Sequence, residues 1–127
     1  MKTYVILFFV VCMISCSQKD NDLIKVSNID QLKGIWKWES TCGGVSGECA
    51  NSSNSHYAVI EFLANGRFVE KHNDTIYQQT NYTVIKIDDV SGYLILDNSD
   101  YQRPISIINN HLLVIRGSLI DTYIKTE

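Results

Sequence analysis

The chain has 127 residues, of which 45% are hydrophobic, and a formal net charge of −3. This length suits one small domain. Because basic residues are not in excess, the composition argues against a nucleic-acid partner and against electrostatic attachment to an anionic membrane.

The first residues have the layout of an export signal. One basic residue, Lys2, precedes an apolar run from Tyr4 to Ile14, and small and polar residues follow. This order matches the charged, apolar and cleavage regions of a secretory signal. The apolar run is much shorter than the ~20 residues that a membrane-spanning helix needs. We therefore predict that residues 1–15 are a cleaved signal peptide.

The end of this signal, Met13-Ile14-Ser15-Cys16, resembles the lipobox of bacterial lipoproteins. In a lipobox the thiol of the cysteine receives diacylglycerol, and the signal is then cleaved in front of it. The resemblance implies that Cys16 is lipidated and anchors the protein in the cell envelope, at the outer membrane on its periplasmic or its surface face. The alternative is an ordinary signal peptide in which the cysteine has no role.

Residues 16–27 follow the predicted cleavage point and are rich in polar and charged side chains. Such a segment cannot bury apolar surface, so it predicts a flexible tether between the lipid and the domain. The remaining residues, 28–127, form the predicted domain.

Cys42 and Cys49 bracket a glycine-rich polar run, TCGGVSGECA. Two cysteines so placed could form a disulfide, half of a metal site or a redox pair. Cys12 would leave with the signal and Cys16 would carry lipid, which leaves one pair in an oxidising compartment. A zinc site needs about four ligands and a thioredoxin-like site needs C-x-x-C. We therefore predict a disulfide.

Beyond the tether the sequence is typical of β-strands. A capping pattern at residues 27–30 predicts one helical turn from about Ile29 to Lys33, which Gly34 ends. The runs after it are rich in β-branched and aromatic residues and are separated by turn formers. The eight runs are IWKWEST, HYAVIEF, RFVEK, TIYQQTNYTVIKI, YLILD, ISII, LLVIR and IDTYIKT. They predict an all-β fold, a small eight-stranded antiparallel up-and-down barrel.

The turn at Ala64-Asn65-Gly66 allows two registers. A two-residue turn would put Glu61 opposite Glu70 and would place the two phenylalanines on different faces. A three-residue loop with its glycine in the left-handed conformation pairs Phe62 with Phe68. The second register keeps the apolar side chains together, so we predict it.

A helical turn followed by Gly34-Ile35-Trp36 at the start of an eight-stranded barrel resembles the G-x-W opening of the lipocalins. The runs LKGIWKWESTCGGVSG and IEFLANGRFVE are similar to small lipocalin-like lipoproteins of Gram-negative bacteria. The likeness covers residues 32–127 in pattern and about 32–70 in specific residues. It implies that a small, largely apolar molecule binds in the barrel mouth. Lipocalins place an arginine against this tryptophan, and the final strand here offers Lys125.

Strand direction places the 41–55 loop, the HND turn and the NSDYQRP loop at the same end of the barrel, which we expect to be open. Inward positions near that end supply an aromatic surface and a few polar groups, as in many ligand pockets. The candidate ligand-binding residues are Trp38, Ser40, His56, Glu70, His72 and Tyr82. Trp36 is expected in the core, whereas Trp38 fits either the core or the pocket.

A metal site would depend on His56, His72 and Glu70, because His111 follows a turn at the opposite end. We predict neither a metal nor a cofactor. The sequence contains no G-x-S-x-G, no H-E-x-x-H and no phosphate-binding glycine loop, so an enzyme is not expected.

Three functions stay open from the sequence. The first is a membrane-anchored lipoprotein whose barrel binds a small apolar or amphiphilic molecule. The second is a protein-binding module, such as a lysozyme or protease inhibitor, and the third is an accessory subunit of the envelope. A cavity that opens at Trp38 would favour the first, and a filled barrel with a protruding 42–49 loop would favour the second.

Overall fold

A computed structural model describes residues 30–126. Within them it contains one 3-10 turn and nine strands: the turn Asp30–Leu32, β1 Gly34–Gly43, β2 Cys49–Asn51, β3 Ala58–Phe62, β4 Arg67–His72, β5 Thr75–Lys86, β6 Ser91–Leu96, β7 Gln102–Ile108, β8 His111–Arg116 and β9 Leu119–Lys125. The signal peptide, the lipidated Cys16 and the tether predicted for residues 1–27 lie outside the described residues. No helix among the described ones is long and apolar enough to cross a bilayer.

Each strand from β3 to β9 pairs antiparallel with the next, and β1 pairs with both β3 and β9. These pairings close eight strands into a barrel, which confirms the predicted fold class. The predicted helical turn is present as the short 3-10 turn ahead of β1.

The extra strand, β2, pairs with the end of β1 and was not predicted from the sequence. Its three residues are all exposed, so no apolar alternation marks it. The pairing places Cys42 opposite Cys49, and the two form a disulfide as predicted. Closing this loop of eight residues stabilises the fold by about 2.5 kcal/mol in the chain-entropy account.

The hairpin between β3 and β4 has the predicted three-residue loop. Phe62 pairs with Phe68 and Ile60 pairs with Glu70, and Gly66 has a φ of 82°. A left-handed φ at this position suits glycine because it has no Cβ. The two phenylalanine rings lie with their centroids 5.2 Å apart inside the barrel.

Trp36 closes the end of the barrel that lies beneath the 3-10 turn. Its side chain is 0% exposed, and its indole N–H donates a hydrogen bond of 2.8 Å to the carbonyl of Leu32. The ammonium of Lys125 lies 5.1 Å from the centroid of the indole and donates to the carbonyl of Gln31 at 2.7 Å. Trp36 is therefore core, as expected, and the final strand supplies the basic residue that contacts it.

Two irregularities in strand pairing alter which side chains face inward. On β1 the register against β9 shifts between Trp38 and Ser40, so Glu39 is an extra residue. On β5 the register against β4 shifts at Tyr77, because Glu70 pairs with Gln78 whereas the next residue pairs with Ile76. Each bulge reverses the inward and outward alternation beyond it.

Candidate functional site

The barrel holds a cavity of about 350 Å³ at the end where β1 finishes and β3 begins. Its deep wall is apolar and contains Ile60, Phe68, Leu94 and Val114. Polar and aromatic side chains lie nearer the opening: Trp38, Thr41, His56, Tyr57, Glu70, His72, Tyr77, Gln78, Arg103, Arg116, Asp121 and Tyr123. An apolar floor beneath a polar rim is the usual construction of a small-molecule site.

Trp38 forms one side of the opening. Its ring meets the ring of His56 edge to face, with the centroids 5.5 Å apart, and both line the cavity. The indole N–H donates to the hydroxyl of Thr41 at 2.9 Å, which fixes the ring. The predicted meeting of Trp38 and His56 beneath the long loop is therefore confirmed in geometry.

Glu70 and His72 form a second cluster on β4, and both line the cavity. The Nε2 atom of His72 lies 2.6 Å from one carboxylate oxygen of Glu70, and the side-chain amide of Gln78 donates to the other. The His72 ring stacks on Tyr77, with centroids 4.5 Å apart and planes 8° from parallel. Both oxygens of Glu70 are therefore already hydrogen-bonded within the protein.

Asp121 is the centre of a third cluster, which sequence reasoning missed. Its carboxylate is buried and receives hydrogen bonds from the Nε and Nη2 atoms of Arg116. The hydroxyl of Thr41 donates to Asp121 Oδ1 at 2.6 Å. Hydrogen bonding to Asp121 raises the pKa of Arg116 further above its usual value, so the guanidinium stays charged.

Tyr123 contributes a neutral phenol to the same cavity. Burial is the main reason that its pKa lies above the usual value, and the negative charges of Asp121 and Glu70 add to the increase. The positive charges of Arg116 and Arg103 lower it only in part. The hydroxyl of Tyr123 therefore keeps its proton throughout the physiological range and remains a hydrogen-bond donor.

Arg103 is a cationic residue that lines the cavity but belongs to none of these clusters. It pairs with Leu94 of β6, whose side chain is buried, and it shares the inward face of β7 with Ile105. Its side chain is partly buried. Among residues 30–126, the side chain of Arg103 has no hydrogen-bond or ion-pair partner. Its guanidinium therefore offers its donors to the cavity.

Two of the predicted ligand-binding residues do not line the cavity. Ser40 lies beyond the β1 bulge and pairs with Thr122, while Thr41 takes the inward place opposite Asp121. Tyr82 does face inward, but it packs in the closed half of the barrel with its ring 5.0 Å from that of Phe62. Its hydroxyl donates to the carbonyl of Leu63, a residue of the loop at that end.

Arg116 and Arg103 were not predicted as cavity residues, although the alternation of their strands indicates weakly that they face inward. In LLVIR the alternation that buries Leu112 and Val114 continues to Arg116. In the same way, the alternation of Ile107 and Ile105 continues toward the amino terminus to Arg103. The sequence did not indicate this, because Pro104 is typical of the end of a strand. The proline is tolerated because β7 pairs with β8 only from Ile105 onward, which leaves one side of the strand unpaired at this point.

The described residues include no group of three or more histidine, cysteine or acidic side chains that could hold a metal ion. His111 lies at the closed end, with its Nε2 atom 3.4 Å from the carboxylate of Glu39. Comparison with protein-family models, with curated proteins and with solved structures finds no match to this chain.

Proposed function

We propose that this domain binds a small apolar or amphiphilic molecule in the open end of its barrel. The observation that carries the proposal is the cavity of about 350 Å³, whose floor is apolar and whose opening is edged by Trp38. A barrel packed only for stability fills its interior with side chains. Here the closed half is filled in that way, whereas the open half leaves a space of the size found in small ligand sites.

The floor supplies the affinity that such a molecule needs. Ile60, Phe68 and Leu94 belong to one apolar cluster and line the cavity, and the indole of Trp38 adds an aromatic surface to its lining. Each 100 Å² of apolar ligand surface removed from water contributes roughly 2.5 kcal/mol. The ring of Trp38 is held by Thr41, so little conformational entropy is lost when a ligand packs against it.

The proposal includes export and a lipid anchor at Cys16. Its support is the signal-like start, the lipobox resemblance and the polar tether. The Cys42–Cys49 disulfide is consistent with an oxidising compartment, where such bonds persist. Two or three acyl chains provide stable attachment to a bilayer.

The proposal is tested by filling the cavity with a larger side chain and measuring how tightly a fluorescent dye binds. In the purified protein, a neutral solvatochromic dye such as Nile red should show a saturable increase in fluorescence. Ala58→Phe places a ring in the cavity opening and should weaken dye binding at least tenfold. Val59→Phe is the matched control, because Val59 is the next residue of β3 and does not line the cavity. Equal binding by both variants would refute a site inside the barrel.

A protein-binding role is the second candidate, and one observation favours it. The disulfide closes the 42–49 loop, and Val45 within it is fully exposed. A rigid loop loses little conformational entropy when it docks into a partner. If the protein inhibits a lysozyme or a protease, Val45→Asp should abolish the inhibition and leave dye binding in the barrel unchanged.

A further inference from the structure

We infer that the ligand is a small organic acid whose carboxylate is bound by Arg103. This inference rests on the proposed function and specifies the head group that the cavity selects. It disfavours a cationic amphiphile, which the presence of Glu70 and Asp121 in the cavity would otherwise suggest.

The two carboxylates of the cavity are already bound by protein groups. Glu70 accepts hydrogen bonds from Gln78 and interacts with His72, one partner for each oxygen. Both oxygens of Asp121 bind Arg116, and one also accepts from Thr41. A ligand ammonium would have to compete with these partners for the carboxylate oxygens, and displacing one that is partly buried costs about 1–3 kcal/mol.

Arg103 is in the opposite situation. A guanidinium has five N–H donors in a planar fork that matches the two oxygens of a carboxylate. Within residues 30–126 none of these donors has an acceptor. Because the side chain is partly buried in the cavity wall, its attraction for an anion is screened less than at an open surface.

The strand register strengthens the preference for an anion. Ile107 pairs with Leu112 and Ile105 pairs with Val114, so the next inward positions on the two strands are Arg103 and Arg116. Asp121 binds Arg116 and not Arg103, so the positive charge of Arg103 has no ion-pair partner within residues 30–126.

The residues around Arg103 indicate what the rest of the ligand, beyond its carboxylate, should be. Leu94 lies directly across the strand pair, and Val114 continues the apolar floor. Tyr123 offers a neutral hydroxyl donor in the same cavity. The volume of about 350 Å³ equals the volume that about a dozen water molecules occupy in the liquid. This set fits a singly charged acid with a compact acyl or aryl body, such as a medium-chain fatty acid.

Isothermal titration of the purified protein with decanoate, decanol and decylamine at pH 7 tests the inference. Decanoate should bind most tightly and decylamine least. Arg103→Gln should weaken decanoate roughly ten- to a hundredfold and leave decanol unchanged, since a hydrogen bond to a charged group is lost. Arg67→Gln is the control, because Arg67 does not line the cavity and its guanidinium donates to the side chains of Asn81 and Gln79 on β5.

The ratio of decanoate to decanol affinity is the decisive quantity, because a variant that merely deforms the cavity lowers both affinities. An unchanged ratio in Arg103→Gln would overturn the inference, and so would decyl phosphate binding more tightly than decanoate. If all three decyl compounds bind the native protein equally, the proposed function stands and the carboxylate inference fails. If none of them displaces Nile red, the proposed function itself fails.

Discussion

Asp121 and Arg116 form a two-point ion pair at the open end of the barrel, and it joins β9 to β8 beside the cavity. The aspartate side chain is 5% exposed, whereas that of the arginine is 44% exposed. Thr41 binds the same carboxylate from β1, so one side chain connects three strands. The rigidity of this part of the opening therefore depends on the charge of Asp121.

Asp121→Asn should lower the free energy of unfolding by about 2–3 kcal/mol. The change leaves the guanidinium of Arg116 without its counter-ion, and the partial exposure of that arginine keeps the cost below that of a fully buried pair. Urea unfolding measures the difference. Glu39→Gln is the control, because the exposed pair of Glu39 with His111 should contribute at most about 0.5 kcal/mol. Equal stability of the two variants would contradict this assignment.

The two tryptophans should separate stability from binding. Trp36→Ala should cost about 3–5 kcal/mol, because its side chain is fully buried in the closed half. Trp38→Ala should destabilise the fold less and weaken dye or decanoate binding more, since one face of this indole lines the cavity. Thermal unfolding and titration of both variants give the comparison. A larger binding defect for the Trp36 variant at a temperature where both are folded would reverse the assignment.

Tyr123 should make the fold sensitive to alkaline pH. Its folded-state pKa lies above the unfolded value because burial disfavours the phenolate. The contribution of Tyr123 to the free energy of unfolding is therefore complete below about pH 10. It is lost as the pH rises toward the folded-state pKa, and the free energy of unfolding then falls by up to about 1.4 kcal/mol per pH unit. Tyr123→Phe should reduce this slope in urea unfolding at pH 9–11. Tyr82, whose pKa burial also raises, accounts for some of the slope that remains.

Cys16→Ala tests the proposed anchor. The variant should lack lipid by mass spectrometry and should leave the membrane fraction, because attachment depends on the acyl chains. Cys12→Ala is the matched control and should keep both the lipid and the fractionation of the native protein. Unchanged membrane association of the Cys16 variant, together with an uncleaved amino terminus, would remove the lipoprotein proposal.

The closed half of the barrel could be derived from the sequence, because there the period-two pattern is unbroken. The pairing of Phe62 with Phe68 followed from keeping apolar side chains on one face, and Gly66 identified the loop. The open half was predicted less well. A bulge adds one residue without changing composition, so nothing local showed that Glu39 would turn Ser40 outward and Thr41 inward.

The charged clusters were missed for a related reason. Arg103, Arg116 and Asp121 stand at the ends of strands, where charged side chains usually mark the transition to a solvated turn. Only the closed barrel brings them to one cavity, and only side-chain geometry shows which of them are paired. The sequence could therefore indicate a polar opening, but not that Arg103 would be the unpaired cation in it.

Both ends of the described chain emerge at the closed end of the barrel. The 3-10 turn Asp30–Leu32 covers Trp36, and the end of β9 lies beside it through the contact of Lys125 with Gln31. With Cys16 lipidated, as proposed, the tether reaches the domain from the side opposite the cavity. An attachment at that end leaves the opening unobstructed by the tether, so the cavity stays accessible to solutes in the aqueous space.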